Sequence, residues 1–195
     1  MQKIKNFLVK TLTFLGRNWL NPQNRPNIVV KLPFLFRALD ALNLFVIMAL
    51  WIYTFYIFPN LPEEIPVHFT WDGSADDWRS KYFIFLAISI LVLIFAFLSY
   101  ISKYYIHYNY PVEITLENAE YQYLLALKFF LIMKTLNVIL FTYIHYVMVV
   151  GAFDKSKAYF DCQFWIVISM VCSSTFIYKK IAQKSSNINS RLKTE

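Results

Sequence analysis

A chain of 195 residues in which 58% are hydrophobic, 19% aromatic and only 16% charged falls well short of the roughly 25% charged residues of a soluble domain, so water is excluded as the main solvent of its surface. A mean hydropathy of +0.43 points to lipid instead, in one membrane domain with no second domain or linker. The net charge of +7 invites nucleic acid, but the way the charge is distributed excludes it, as the loops show.

Residues 1–20 form a helical pattern. Ile4, Phe7, Leu8, Leu12, Phe14, Leu15 and Trp19 share one face, and Lys3, Lys10 and Arg17 share the other with Asn6 and Thr13. An aromatic face opposed by a basic one predicts an amphipathic helix lying in the membrane interface. Packing on the protein's own inner side is the alternative. Lys10 and Arg17 interrupt any apolar core, so a cleaved signal peptide is not expected. Pro22 and Pro26 then break the helix and give an extended lead-in.

The expected fold is all-α: an integral membrane protein of four helices, preceded by the interfacial helix and carrying a short outer loop. Residues 41–58 and 82–101 hold no charge at all, and uncharged runs near 20 residues read as membrane spans. Four spans are predicted over about 40–58, 82–101, 135–153 and 158–178, within a membrane domain of residues 21–181. The first ends at Pro59, with Trp51, Tyr53 and Tyr56 at the boundary where aromatic residues gather. The third helix is expected to start near Thr115 and Asn118. Lys128 and Lys134 lie early in it, with stems long enough to carry their charge to the interface. A tight turn over 154–157 precedes the fourth span. The tail, 182–195, is polar and expected to fray. Cys162 and Cys172, ten residues apart on a helix, are about 15 Å apart along its axis, too far for a disulfide; they read as free, small, buried side chains.

Orientation follows from the charges. Lys3, Lys5, Lys10, Arg17, Arg25, Lys31 and Arg37 precede Asp40 with no acidic residue among them. The tail carries Lys179, Lys180, Lys184, Arg191 and Lys193 against Glu195. The loop from Pro59 to Ser80 is acidic, with Glu63, Glu64, Asp72, Asp76 and Asp77 against Arg79. Basic residues collect on the cytoplasmic side, so both termini are expected inside and the 61–81 loop outside. Topology and anionic lipid account for the net charge; the lipid bilayer is the expected partner and nucleic acid is not.

The loop LPEEIPVHFTWDGSADDWRSK holds the most particular residues. Ile65, Val67, Phe69 and Trp71 alternate with Pro66, His68 and Thr70, which predicts a short extended segment with one apolar side. Asp72 and Gly73 turn the chain, and residues 74–77 fit a capping pattern for a helix leading into the second span. Turn and cap duties account for Asp72, Asp76 and Asp77. His68 with Asp72 and Asp76 is also a candidate cation set, since imidazole and carboxylate are ordinary ligands; no metal is expected on a single histidine. His68, Asp72, Asp76, Asp77 and Trp78 are the candidate loop site. A hydrogen bond closing the loop is the simpler role for His68, and a pH or cation sensor the sharper one. Within the spans, Asn137 and His145 are the deep polar outliers, about 12 Å apart along one helix. A hydrogen bond to a neighbouring helix is the default for each, and a proton or solute path the alternative. No nucleophile–base pair, phosphate loop or paired-cysteine metal motif is present, so neither an enzyme nor a cofactor is expected.

The same loop resembles the bacterial membrane family called domain of unknown function 1648. The resemblance rests on Leu61, Pro62, Ile65, Pro66, His68, Phe69, Gly73, Asp76 or Asp77, Trp78 and Lys81. Arg25-Pro26 with residues 50–54, and the NYPVEITLEN stretch at 109–118, extend it to about residues 25–150. It implies a multi-pass protein of the bacterial inner membrane, and some relatives are toxin-immunity and signalling proteins. A non-enzymatic binding, immunity or signalling role is therefore expected, with a peptide or protein partner at the outer loop as a candidate. A small carrier or proton-coupled conduit using Asn137 and His145 is the alternative. The resemblance carries no catalytic residue.

Overall fold

A computed structural model describes the backbone of residues 25–191 and side chains as far as residue 185; the interfacial helix expected over 1–20 lies outside the described residues. Among the described residues four long helices follow one another: α1 Phe34–Ile57, α2 Phe83–Ser102, α3 Ala119–Phe153 and α4 Cys162–Arg191. Each is long and apolar enough to cross a membrane. The fold is not all-α, however. The 61–81 loop is a two-stranded antiparallel sheet, β1 Glu64–Phe69 and β2 Ala75–Ser80.

Proline sets the limits of α1. Pro33 is extended, and its carbonyl accepts from the amides of Phe36 at 3.1 Å and Arg37 at 3.2 Å. Pro59, which lacks an N–H, lies in the 3₁₀ turn Phe58–Asn60 that ends the crossing. The helix therefore begins earlier than the expected residue 40, because Asp40 is accommodated inside it. α3 begins where expected: Asn118 closes the preceding loop, accepting from the Thr115 amide at 2.9 Å and donating to the Glu113 carbonyl at 2.8 Å. Asp154 caps the next turn through Ser156. Residues 158–161 are not helical, as a fourth span from 158 would require. α4 starts at Cys162, where the Asp161 carboxylate takes the Gln163 amide at 2.8 Å. It stays helical through Arg191, well past the expected end of the fourth span at residue 178.

The surface is far more apolar than that of a soluble bundle, and several polar side chains lie within the apolar interior. Phe45, Phe55, Leu93 and Phe97 are exposed, while Asn43, Thr54, Gln122, Lys134 and His145 are buried. That is the arrangement hydrocarbon favours, since buried polar groups must find partners in the protein. α3 is the central helix, packing against α1, α2 and α4. Three bonds tie it to α1. Lys134 Nζ meets Asp40 Oδ1 at 2.5 Å, Asn43 donates to Thr135 Oγ1 at 2.9 Å, and Thr54 Oγ1 lies 2.9 Å from His145 Nε2. Lys134 is thus not turned to the interface as expected; it is 6% exposed and also stands over the Phe95 ring. Both cysteines are free, but they are exposed on α4 instead of buried.

Apolar packing divides into three clusters along the bundle. Ile47, Leu50, Ile88, Leu91, Phe95 and Val138 fill the middle. Tyr110, Ala119, Tyr123 and Ala126 pack at the end that holds residues 25–33 and the 103–118 loop. Leu61, Ile65, Ile84, Met148, Val149 and Ala152 pack at the opposite end. This last cluster seats the hairpin on α3.

Candidate functional site

The hairpin owes its position to its backbone. Pro66 is buried with Ile65, so the strand's apolar face is broader than the alternation alone predicts. Trp71 does not share that face; it lies past the end of β1 and is 89% exposed. The ladder pairs Ile65 with Arg79 and Pro66 with Trp78, with irregular register on both sides of His68. A bulge there re-aims the side chain. At the tip, the Thr70 amide donates to Ser74 O and the Gly73 amide to Thr70 O, each at 2.9 Å.

A third segment clamps the tip. The Phe160 amide donates to Gly73 O at 2.7 Å and the Ala75 amide to Ala158 O at 3.0 Å, with Ser74 bridged to Tyr159. Gly73 has φ +91°, and a Cβ there would stand 2.2 Å from Phe160 O. Only glycine fits such a position without strain. Gly151 on α3 serves the same junction from below: a Cβ there would come within 2.9 Å of Ala158 Cα and 3.1 Å of Pro66 Cγ. Lys155 Nζ stands 4.8 Å over the Trp78 ring, tying β2 to the α3–α4 turn.

The expected cap at residues 74–77 is absent. Residues 75–77 belong to β2, because pairing with β1 offers their amides a ladder that a helix start would forgo. Asp72, in contrast, is the turn residue expected. It accepts from the Thr70 hydroxyl, from the Ser74 hydroxyl at 2.7 Å and from the Ser74 amide at 3.1 Å. These bonds, the one from Thr70 above all, hold its carboxyl at about 2, below the ordinary 3.8. Asp154 is likewise lowered by the Ser156 hydroxyl and Lys157.

The candidate loop residues separate into pairs. His68 Nδ1 lies 2.5 Å from Asp76 Oδ1, with side chains 66% and 43% exposed. Asp77 pairs with Arg79 Nε at 2.9 Å, and Asp72 is committed to the turn. Among the described residues no three His, Cys, Asp or Glu side chains come together as a metal site. What the hairpin builds instead is an aromatic groove of about 550 Å³, with His68 on its rim. Val67, Phe69, Met148, Phe160 and Phe164 line it, with Phe69 packed on Phe160 at 4.0 Å. Phe160 stacks on Phe164 at 4.0 Å, and Trp71 stacks on Trp165 at 6.2 Å across the mouth.

The intramembrane candidates do not converge. His145 bonds across to Thr54 as expected, but Asn137 donates to Met133 O of its own helix at 2.8 Å. Three features escaped the sequence reading: the 158–160 clamp, the Lys134–Asp40 pair, and Tyr143, whose hydroxyl donates to Asp161 Oδ1 at 2.7 Å. A lysine inside a span was itself a signal that an acidic partner had to exist on another helix.

Residues 45–100 match the family described as Domain of unknown function (DUF1648), a stretch running from α1 through the hairpin to the end of α2 and narrower than the 25–150 of the sequence resemblance. No curated protein and no solved structure matches the chain.

Proposed function

We propose that this chain, which carries the DUF1648 domain over residues 45–100, is a non-enzymatic recognition protein of a bacterial plasma membrane. Its termini lie in the cytoplasm, and its hairpin face binds a peptide or protein partner outside. The orientation rests on the basic lead-in and tail against the acidic 61–81 region. The observation that carries the recognition reading is a division of labour in the hairpin. The backbone is fixed by its ladder, by the Asp72 turn and by the 158–160 clamp. His68, Asp76 and Trp71 nevertheless remain exposed beside an aromatic groove. Exposed aromatic and charged groups on a rigid frame bind with little ordering cost. An immunity-like or signalling role suits a surface that binds without transforming its partner.

A conduit would need Asn137 and His145 to line a shared path. Asn137 is bonded to its own helix and His145 to Thr54, which weighs against that reading.

The test is photo-crosslinking in intact cells that naturally make the protein, with benzoylphenylalanine at Trp71 or at exposed Leu116 on the opposite end. A discrete protein or peptide adduct at position 71, absent at 116, is expected. Adducts to lipid alone at position 71 would reduce Trp71 to a membrane anchor and overturn the proposal.

A further inference from the structure

A second groove, of about 390 Å³, runs between α3 and α4, with Phe36 of α1 contributing to its lining. We infer that it is a binding site for one acyl chain of an anionic glycerophospholipid, with Lys128 holding the phosphate. The lipid comes from the leaflet at the end that holds residues 25–33 and the 103–118 loop.

Depth is the first argument. With 35 residues, α3 is about 52 Å long, whereas hydrocarbon is about 30 Å thick. Its last 20 or so residues suffice to cross, so Lys128 stands about 9 Å outside the hydrocarbon, at headgroup level. The groove descends from Lys128 to Leu136 on α3, about 12 Å, and from Ile181 to Met170 on α4, about 16 Å. It therefore starts among headgroups and ends among acyl chains.

Chemistry is the second. Ile132, Leu136, Met170 and Ile177 line the groove. Its two serines, Ser173 and Ser174, donate to the carbonyls of Met170 and Val171 in their own helix, and Tyr178 is its one other hydroxyl-bearing residue. Away from Lys128 the lining is predominantly apolar, so a groove open to the bilayer takes hydrocarbon. Lys128 supplies the headgroup preference. Among the described residues it has no carboxylate partner; its ammonium rests 4.9 Å over the Phe36 ring. Its neighbours three and four residues away are Leu124, Leu125, Leu131 and Ile132, so no acid on its own helix neutralises it. A basic group between helices at this depth selects anionic headgroups.

The experiment offers the purified protein equal amounts of phosphatidylglycerol and phosphatidylcholine with identical chains and counts retained lipids by native mass spectrometry. The parent is expected to retain about fivefold more phosphatidylglycerol, the weight of one lysine at a membrane surface. Lys128→Gln should bring the ratio to parity. Lys180→Gln, which removes a cation that rests on exposed Phe176, should leave it. Ser173→Trp, filling the groove, should lower retention of both lipids. Equal retention by the parent, a preference surviving Lys128→Gln, an equal loss in Lys180→Gln, or undiminished retention in Ser173→Trp would each overturn the site.

Discussion

The two ends of the bundle are both made of loops held down by hydrogen bonds, yet they use opposite chemistry. At the end that holds residues 25–33, side chains do the holding. Arg25 donates to Ile106 O and Tyr108 O at 2.8 and 2.7 Å and lies over the Tyr110 ring. The hydroxyls of Tyr105, Tyr108, Tyr110 and Tyr123 each donate to a backbone carbonyl. Burial raises Tyr108 and Tyr110 above the ordinary phenol range. At the hairpin end, main chain binds main chain in the ladder and the clamp, with the Asp72 side chain closing the turn. His68, Asp76 and Trp71 stay exposed, engaged in the His68–Asp76 pair and the Trp71–Trp165 stack. An end that spends its side chains on itself is architecture. An end that leaves them exposed on a fixed frame has them available for a partner.

The largest effect should come from breaking the backbone clamp. Gly73→Val places a Cβ against Phe160 O at a positive φ, and a cost of about 3 kcal/mol or more is expected. Thermal unfolding in mild detergent reads it, and a near-neutral result would mean the clamp does not hold the hairpin. At the opposite end the same question is asked of a side chain. Arg25→Ala removes two charge-assisted hydrogen bonds from a half-buried site and should cost about 2 kcal/mol. Exchange of the amides around Ile106 and Tyr108 should rise with it; unchanged protection there would remove the contrast between the ends.

A smaller effect sharpens the account of the turn. Asp72 has its folded value lowered to about 2 from 3.8, so its contribution is fully present above about pH 4 and is lost as pH falls toward 2. Carboxyl titration followed by NMR should show a midpoint near 2 in the parent. In Thr70→Val, which deletes the first cause of the shift, the midpoint should move up toward 3.8. An ordinary midpoint in the parent would mean the Thr70–Asp72–Ser74 turn is not formed.

Much of this was legible in the residues, and what was not has physical reasons. The uncharged runs announce α1 and α2 because hydrocarbon tolerates little else. β1 shows in the alternation of Ile65, Val67 and Phe69. β2 does not show, because ADDWRS has no alternation of its own and is made a strand by its partner. The clamp joins Gly73 to Phe160, and Lys134 finds Asp40 on another helix; such pairings are settled by packing, not local pattern. Arg25 and the 109–118 stretch were each noticeable alone, and only the fold brings Arg25 to the loop leading into that stretch.

The central claim is that the hairpin's exposed groups are spare to its architecture, and thermal unfolding of a His68→Gln, Trp71→Ala double variant in mild detergent tests it most directly. Exposed ion pairs and surface side chains contribute about 0.5 kcal/mol or less. The melting temperature should therefore stay within about 2 °C of the parent. A fall of more than about 5 °C would show that the His68–Asp76 bond and the Trp71–Trp165 stack hold the hairpin together, and would return them to architecture.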